Sequence, residues 1–169
     1  MPSLPHPDRT PRVVHCALLT ISDTRTAETD KSGQYLQQVL TAADHRIASY
    51  QILPDEPDQI RVQMQDLCAQ PGIEVVICNG GTGIAPRDTT YDAIVGLLEK
   101  TLPGFGELFR WLSFQEIGSR AIASRAVAGV CQGTLVFSLP GSSNAVRLAM
   151  EQLILPELQH LVTQLQAPH

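Results

Sequence analysis

A short apolar run followed at once by a glycine-rich loop is the most informative part of the sequence: Glu74-Val75-Val76-Ile77-Cys78-Asn79-Gly80-Gly81-Thr82-Gly83. A run of β-branched residues is typical of a strand buried on both faces, as the strands of a parallel sheet are. Three glycines within four residues allow the backbone to adopt positive φ and to approach a ligand closely. The stretch therefore predicts a buried strand that ends in a functional loop.

Strands and helices alternate on the N-terminal side of this loop. Strands are predicted at 13–21 and 46–53, and apolar residues at helical spacing follow each of them, after Gly33 and from Ile60. Ser32 is a plausible N-cap of the first helix. The order β-α-β-α-β-α indicates right-handed crossovers and a parallel sheet, so the sequence predicts an α/β fold.

The C-terminal side of the loop continues the pattern with one change of direction. The predicted elements are a helix over 89–100, a loop with a short helix over 103–118, two strands over 126–131 and 134–139, and a long helical pattern after 140–144. Gln132-Gly133 between the two strands is a two-residue hairpin connection. An antiparallel strand pair is therefore predicted at this end of the sheet.

Length and composition restrict the class of protein. A chain of 169 residues favours one domain, and residues 1–11, with four prolines, are predicted to be a flexible tail ahead of a domain at 12–169. The net charge of −5 and the lack of any basic run argue against nucleic-acid binding. No apolar run approaches the roughly 20 residues that span a bilayer. We therefore expect a cytoplasmic protein with no membrane partner.

Cysteine and histidine give no sign of a metal site or a catalytic triad. The cysteines contain no CxxC pair and are predicted to be buried free thiols, which fits a reducing compartment; they are Cys16, Cys68, Cys78 and Cys131. His15 falls within a strand and is predicted to lie in the core, whereas His45 and His160 are predicted at the surface.

Polar loops follow four of the predicted strands. They are Ser22-Asp23-Thr24, Asp55-Glu56, the loop from Gly80 to Asp88, and Pro140 to Asn144. In an open parallel sheet, ligands bind in the crevice outside the carboxyl ends of the strands. The four loops are therefore expected to converge on one composite site.

The glycine loop is the strongest of the four. Its successive N–H groups can form an anion nest, and the N-terminus of the next helix adds partial positive charge. It is not a Walker loop, because no Gly-Lys-Ser/Thr follows. The alternative is a tight turn with no ligand.

Arg87 and Asp88 could act as a phosphate-pairing guanidinium and a metal-binding carboxylate, or Asp88 could cap the helix that begins near Thr89.

The other loop residues carry the same ambiguity between a binding role and a structural one. Asp55 could cap the following helix, and Asp23 could be a turn residue. Ser142 and Ser143 are good N-caps, although a helix start is also a phosphate site. Carboxylates beside an anion-binding loop suggest Mg²⁺ bridging to a nucleotide or another phosphate, hence phosphoryl or nucleotidyl transfer.

At these same residues the chain resembles the MoaB/Mog family of molybdenum-cofactor biosynthesis proteins, and its MoaB branch in particular. The resemblance extends from about 13 to 165, with motifs in the expected order at 22–26, 30–33, 53–56, 80–88, 102–107, 124–126 and 139–142. Departures from the family pattern occur at Asn79, Thr90-Tyr91 and Ser143-Asn144. None removes a predicted ligand, and the last is expected to alter the shape of the pocket.

The resemblance implies a three-layer α/β/α sandwich with a mostly parallel sheet and one antiparallel strand, assembled as trimers or hexamers. It implies that molybdopterin is bound and that active members transfer AMP from Mg-ATP to its terminal phosphate. By motif, Asp88 would position Mg²⁺ and the nucleotide, and Asp55 would act on the substrate side as the second catalytic aspartate. The resemblance implies that the following residues bind pterin or phosphate: Ser22, Asp23, Gly80, Gly81, Thr82, Gly83, Arg87, Gly141, Ser142 and Ser143.

Two other functions use the same fold. One is a non-catalytic molybdopterin carrier or scaffold. The other is a related domain of the nucleotide-amidase and competence-damage group. Release of pyrophosphate distinguishes the transferase from the carrier, and affinity for molybdopterin distinguishes both from the third.

Overall fold

A single six-stranded sheet forms the centre of the molecule. The computed structural model describes residues 10–168, so the predicted flexible tail at 1–11 lies almost wholly outside the described residues. The strand order is β2-β1-β3-β6-β5-β4. The strands are β1 His15–Ile21, β2 Arg46–Leu53, β3 Val75–Asn79, β4 Lys100–Thr101, β5 Val127–Cys131 and β6 Thr134–Leu139.

Helices cover both faces of this sheet. They are α1 Lys31–Ala42, α2 Pro57–Ala69, α3 Thr90–Val95, α4 Pro103–Ile117, α5 Ser143–Ala149 and α6 Leu155–Leu165. A 3-10 helix, Gly118–Ala123, follows α4, and a π-helical segment, Met150–Ile154, joins α5 to α6. No helix in residues 10–168 has the length and apolar character needed to cross a membrane.

Strand direction agrees with the prediction from sequence. Strands β2, β1, β3 and β6 are parallel to one another, and β5 is antiparallel to both of its neighbours. The connection between β5 and β6 has positive φ at both central residues, 50° at Gln132 and 76° at Gly133. This backbone twist matches that of a two-residue hairpin, which explains why β5 runs antiparallel to β6.

Two hydrophobic cores lie on opposite sides of the sheet. Alternate residues of β1 face alternate sides: Leu18 packs in the core formed with α1, α4, α5 and α6, and Leu19 in the core formed with α2 and α3. The three-layer α/β/α sandwich is therefore confirmed. All four cysteines are free and buried, as predicted, and burial raises the pKa of the Cys16 thiol to about 12.

Two helices differ most from the sequence prediction. The helix expected over 89–100 ends at Val95, and Lys100–Thr101 forms an edge strand paired with β5. The short helix expected within 103–118 is instead α4, with 15 residues. Gly106 allows α4 to pack close to the sheet, because a Cβ there would lie 2.9 Å from the Ala126 carbonyl oxygen. Tertiary pairing thus replaced the local helical pattern after Val95.

The N-cap of α1 is Asp30, so the prediction of Ser32 was wrong. The Asp30 Oδ1 accepts a hydrogen bond from the Gly33 N–H at 3.0 Å, and Oδ2 accepts one from the Tyr50 hydroxyl at 2.6 Å. Ser32 is buried and donates its hydroxyl to the Gly141 carbonyl oxygen at 2.9 Å. Burial and the Asp30 contact raise the pKa of the Tyr50 hydroxyl. Asp30 therefore links α1 to β2 through hydrogen bonds to Gly33 and Tyr50.

The predictions for His15 and His45 were both wrong. His45 is only 5% exposed, and its Nδ1 accepts a hydrogen bond from the Val14 N–H at 3.2 Å, although it was predicted at the surface. Burial lowers the pKa of His45. His15, predicted in the core, has a side chain that is 42% exposed beside Glu74. The turn before β2 folds His45 inward, a tertiary effect that residue type does not indicate.

Candidate functional site

The four parallel strands end at the same edge of the sheet, and the loops that follow three of them line a cavity of about 530 Å³. The cavity is lined by residues from the loops after β1, β3 and β6 and from α4, α5 and the 3-10 helix between 118 and 123. The predicted residues that line it are Ser22, Gly80, Gly81, Thr82, Gly83, Asp88, Gly141 and Ser142. The structure thus brings eight of the twelve predicted site residues together.

The glycine loop has the backbone conformation that the sequence predicts. Gly80 and Gly81 have φ values of 103° and 65°, in the left-handed region that favours glycine. The Gly80 N–H donates to the Leu139 carbonyl oxygen at 2.9 Å, which fixes the loop to the end of β6. Gly83 leaves room for Asp88, whose Oδ2 would lie 2.6 Å from a Cβ at that position.

Asp88 is half-buried and lines the cavity. Its Oδ2 accepts a hydrogen bond from the Ala85 N–H at 3.2 Å. The N-cap of α3 is Thr89, and no side chain makes the capping hydrogen bond there, so the alternative of Asp88 as a helix cap is wrong. Its carboxylate remains directed to the loop and the cavity beside the glycine backbone.

Arg125 fixes the carbonyl groups of the glycine loop. Its Nε donates to the Thr82 carbonyl oxygen at 3.1 Å, and its Nη2 donates to the Gly83 carbonyl oxygen. The guanidinium lies 4.6 Å from the centre of the Tyr91 ring and pairs with Asp92 at 3.2 Å. One side chain thus holds two consecutive peptide groups of the loop in a fixed orientation.

Asp55 lies behind the glycine loop and does not line the cavity. It is 5% exposed, and its Oδ1 accepts hydrogen bonds from the Thr89 N–H at 3.1 Å and the Thr89 hydroxyl at 2.6 Å. A Cβ on Gly81 would overlap both the Asp55 Oδ2 and the Thr90 hydroxyl. Asp55 does not cap α2, whose N-cap is Glu56, and instead supports the loop from the α3 side.

Asp23 and Arg87 are paired with each other outside the cavity. Arg87 donates from Nε to the Asp23 Oδ2 at 2.8 Å, from Nη2 to Oδ1 at 2.9 Å, and from Nη1 to the Glu56 Oε1 at 2.7 Å. The Arg87 hydrogen bonds lower the pKa of Asp23 to about 2. This ion cluster joins the loops after β1, β2 and β3, and two carboxylates already neutralise the guanidinium that was expected to meet phosphate.

The loops after β1 and β6 meet through Arg25. Both of its terminal nitrogens donate to the Gly141 carbonyl oxygen at 3.2 Å, and the guanidinium lies 3.6 Å from the buried Asp30 carboxylate. Ser22 accepts from the N–H groups of Thr24 and Arg25, so it also stabilises its own turn. These contacts hold the β1 loop against the start of the last helical region.

The two predicted serines at the start of α5 differ in position. Ser142 is the N-cap, as expected, because its hydroxyl accepts from the Ala145 N–H at 3.2 Å, and it also lines the cavity. Ser143 is exposed beyond the cavity lining, and its hydroxyl lies 3.4 Å from that of Ser32. The neighbouring Asn144 donates to Glu116 at 2.7 Å and so joins α5 to α4.

Some lining residues were not assigned a role from the sequence. They are Ile21, Thr24, Arg25, Phe109, Ser113, Ile117, Arg120, Ala123, Ser124, Pro140 and Ala145. Arg25 and Ser124 belong to motifs that carry the family resemblance, which was an available signal. Phe109 and Arg120 come from α4 and the 3-10 helix, where only a short helix was expected, and no local pattern indicated that this segment closes the cavity.

These features define an α/β protein whose glycine-rich loop, with one carboxylate at its end, lies at the carboxyl edge of a parallel sheet. No group of three or more His, Cys, Asp or Glu side chains suited to a metal ion is found within residues 10–168. The cavity wall instead combines the glycine-loop backbone with one half-buried carboxylate, Asp88.

Comparison with known proteins gives the family. A sequence model described as "Probable molybdopterin binding domain" matches residues 17–160. Molybdenum cofactor biosynthesis protein B of Bacillus subtilis (strain 168) is 53% identical over 161 residues, 95% of each chain. The chain belongs to this family, and its general role lies in molybdenum cofactor biosynthesis.

Solved structures agree with this assignment. A crystal structure of Molybdenum cofactor biosynthesis protein B superposes with a TM-score of 0.90 at 50% identity, covering 93% of this chain and 98% of the other. The tungsten cofactor synthesizing protein MoaB from Pyrococcus furiosus superposes with a TM-score of 0.83 at 33% identity, covering 94% and 100%. The resemblance to the MoaB/Mog family and the fold that it implied are both confirmed.

Removing the Asp55 side chain should loosen the glycine loop. We expect Asp55→Ala to lower the free energy of unfolding by about 2 kcal/mol, because the Thr89 N–H and hydroxyl lose a buried charged acceptor. Asp55→Asn keeps an acceptor oxygen and should lose about half as much. Urea unfolding of both variants, with Thr89→Val as the partner in a double-mutant cycle, measures this. Full additivity of the Asp55 and Thr89 changes would show that the two side chains do not interact.

Proposed function

We propose that this protein binds molybdopterin and transfers AMP from Mg-ATP to its terminal phosphate. In that reaction an oxygen of the pterin phosphate attacks the α-phosphorus of ATP, the bond to the β-phosphate breaks, and pyrophosphate leaves. The observation that carries the proposal is the cavity in which the glycine loop and the Asp88 carboxylate lie side by side. Its further walls, including Phe109, Ile117 and Ala145, give an apolar surface suited to a flat heterocycle.

The residues of the cavity fit Mg²⁺ bound together with phosphates. Magnesium commonly uses one or two carboxylates and completes its octahedral shell with phosphate oxygens and water. Asp88 would supply the carboxylate, and the bound ion would neutralise charge on the transferring phosphoryl group. The backbone of Gly81 to Gly83 would bind a phosphate through its N–H groups, because the Gly80 N–H is already bonded to the end of β6.

The remaining predicted residues would act by positioning. Asp55 supports the loop through Thr89, and we assign it a positioning role on the substrate side. Asp23 and Arg87 would hold three loops together through their ion pair. Ser22, Gly141 and Ser142 would contribute polar groups to the cavity wall, and Ser143 would act from just outside it.

We also propose that the chain forms a homo-oligomer, a trimer or a hexamer, in the cytoplasm. Large apolar side chains lie exposed at every third position of α4, namely Leu108, Trp111, Phe114 and Ile117, and Ile122 follows at 86% exposure. Single exposed apolar residues are ordinary, but a group of this size is typical of a subunit interface. Analytical ultracentrifugation tests the stoichiometry, and a monomer at micromolar concentration would contradict it. The proposed location in the cytoplasm is supported by the four free thiols, which fit a reducing compartment.

Pyrophosphate release from ATP in the presence of molybdopterin and Mg²⁺ tests the transferase. Release that requires all three components supports it. Tight molybdopterin binding without release above background would leave the carrier function, and no affinity for molybdopterin would favour the nucleotide-amidase type of domain. A coupled phosphate assay measures release, and quenching of intrinsic fluorescence measures pterin binding.

A further inference from the structure

The charges around the cavity are not all balanced by the protein. Three charged side chains line it: Arg25, Asp88 and Arg120. Arg25 is already engaged, since it donates to the Gly141 carbonyl oxygen and lies beside the buried Asp30 carboxylate. Among residues 10–168, the Ala85 N–H alone donates to the Asp88 carboxylate. Because Arg25 is already paired, Arg120 is the lining guanidinium that is available to pair with a ligand.

Arg120 has no hydrogen bond or ion pair to any other residue in the described part of the chain, 10–168. It is exposed, and it belongs to the 3-10 helix Gly118–Ala123 that follows α4. Ile117, Ala123 and Ser124 line the same cavity, so this segment contributes several side chains to one wall. An arginine that lines a cavity with all of its donors free is well suited to pair with phosphate oxygens, since its planar fork can donate twice.

Arg120 and the glycine loop come from different parts of the fold. The loop follows β3, and Arg120 follows α4, yet both line one cavity of about 530 Å³. A single phosphate that occupies the N–H nest would use the loop alone. A ligand with a second phosphate could engage the nest and the guanidinium together. The sequence assigned the phosphate-pairing role to Arg87, but Asp23 and Glu56 already occupy that side chain.

We propose that Arg120 is a specificity residue that makes this cavity prefer a polyphosphate chain to a single phosphate. This inference rests on the proposed function, because it assumes that the glycine loop binds phosphate. The Arg120 side chain pairs with the phosphate group beyond the one held by the loop. The preferred ligand class is therefore a nucleoside triphosphate or inorganic pyrophosphate.

Binding of two simple probes tests the role of Arg120. Isothermal titration calorimetry in the presence of Mg²⁺ gives the affinity of the full chain for pyrophosphate and for inorganic phosphate. We expect the wild type to prefer pyrophosphate, and Arg120→Gln to weaken pyrophosphate binding about tenfold while phosphate binding changes less than about threefold. Arg120→Lys should retain part of the preference, because it keeps the charge but not the fork.

Arg61→Gln is the matched control. Arg61 is an exposed arginine on α2 that pairs only with Asp58, and it does not line the cavity, so its loss removes the same net charge elsewhere. It should leave both affinities at wild-type values. Circular dichroism of each variant confirms that the fold is retained.

The outcomes separate the inference from the function on which it rests. If Arg120→Gln weakens both probes equally, or changes neither relative to Arg61→Gln, the specificity role is overturned while the phosphate site stands. A wild type that binds phosphate but shows no preference for pyrophosphate would also overturn the specificity role and leave the phosphate site standing. A wild type that binds neither probe overturns the specificity role and the proposed function together.

Discussion

Replacing Asp88 with asparagine will reduce adenylyl transfer by about 10²- to 10³-fold while leaving the fold intact. The carboxylate lines the cavity next to the glycine loop, where it would hold Mg²⁺ and counter the charge of the phosphates. Asparagine has nearly the same shape and keeps an oxygen that can accept from the Ala85 N–H, so the loop should not move. Initial rates of pyrophosphate release at saturating Mg²⁺ give the effect.

Thermal unfolding separates this chemical effect from a structural one. Asp88 does not cap α3, so Asp88→Asn should unfold within about 2 °C of the wild type. Asp58→Asn is the matched control, because this carboxylate is 95% exposed, pairs with Arg61 on α2 and does not line the cavity. A variant that stays fully active would show that Asp88 has no role in transfer, and one that unfolds would show that its role is structural.

Replacing Gly80 with alanine will destabilise the protein by about 3 kcal/mol or more and remove the phosphate binding proposed for the glycine loop. Two separate costs combine at this position. Its φ of 103° is one that L-residues rarely adopt, at about 1–3 kcal/mol. A Cβ would also overlap the backbone carbonyl oxygen of Ile21, which cannot move without disrupting the end of β1. Urea unfolding gives the stability, and pyrophosphate titration gives the binding.

Gly72→Ala provides the comparison that isolates the second cost. Gly72 also has a positive φ, 88°, but nothing lies within 4 Å of the position of its Cβ. We expect Gly72→Ala to lose about 1–2 kcal/mol and to bind pyrophosphate normally. If Gly80→Ala loses no more stability than Gly72→Ala, the close approach of the glycine loop to β1 is not a feature of the protein in solution.

Local chemistry accounts for the elements that were predicted well. The continuous apolar runs of β1 and β3 could pack only in a sheet covered on both faces, and Gln132-Gly133 could turn only as a tight hairpin. The same regularity predicted that the loops after four parallel strands would meet. The glycine loop, with its positive φ at Gly80 and Gly81, was visible because glycine is the residue that such a backbone requires.

The predictions that failed concern side chains whose hydrogen-bond or ion-pair partners are distant in the sequence. Arg87 and Asp23 each looked available for a ligand, and nothing in their neighbours along the chain showed that they bind one another. Asp30 and Ser32 are both good N-caps by residue type, and the Tyr50 hydroxyl and the Gly141 carbonyl decided between them. His45 was placed at the surface because an imidazole gives no local sign of burial, and the Val14 N–H lies 31 residues away.

The parallel sheet, the family and the glycine loop with Asp88 at its end could all be predicted from the amino-acid sequence. Each of these depends on residue type and spacing within a short stretch, which is where steric and hydrogen-bonding preferences act directly. The charges that face the cavity could be identified only in the folded chain. Arg87 is neutralised by two carboxylates, Asp55 lies behind the loop, and Arg120 lines the cavity from a segment whose packing no local pattern reveals. The availability of a charge depends on its partners across the fold, because a guanidinium or carboxylate pairs with whichever opposite charge or polar group folding brings near.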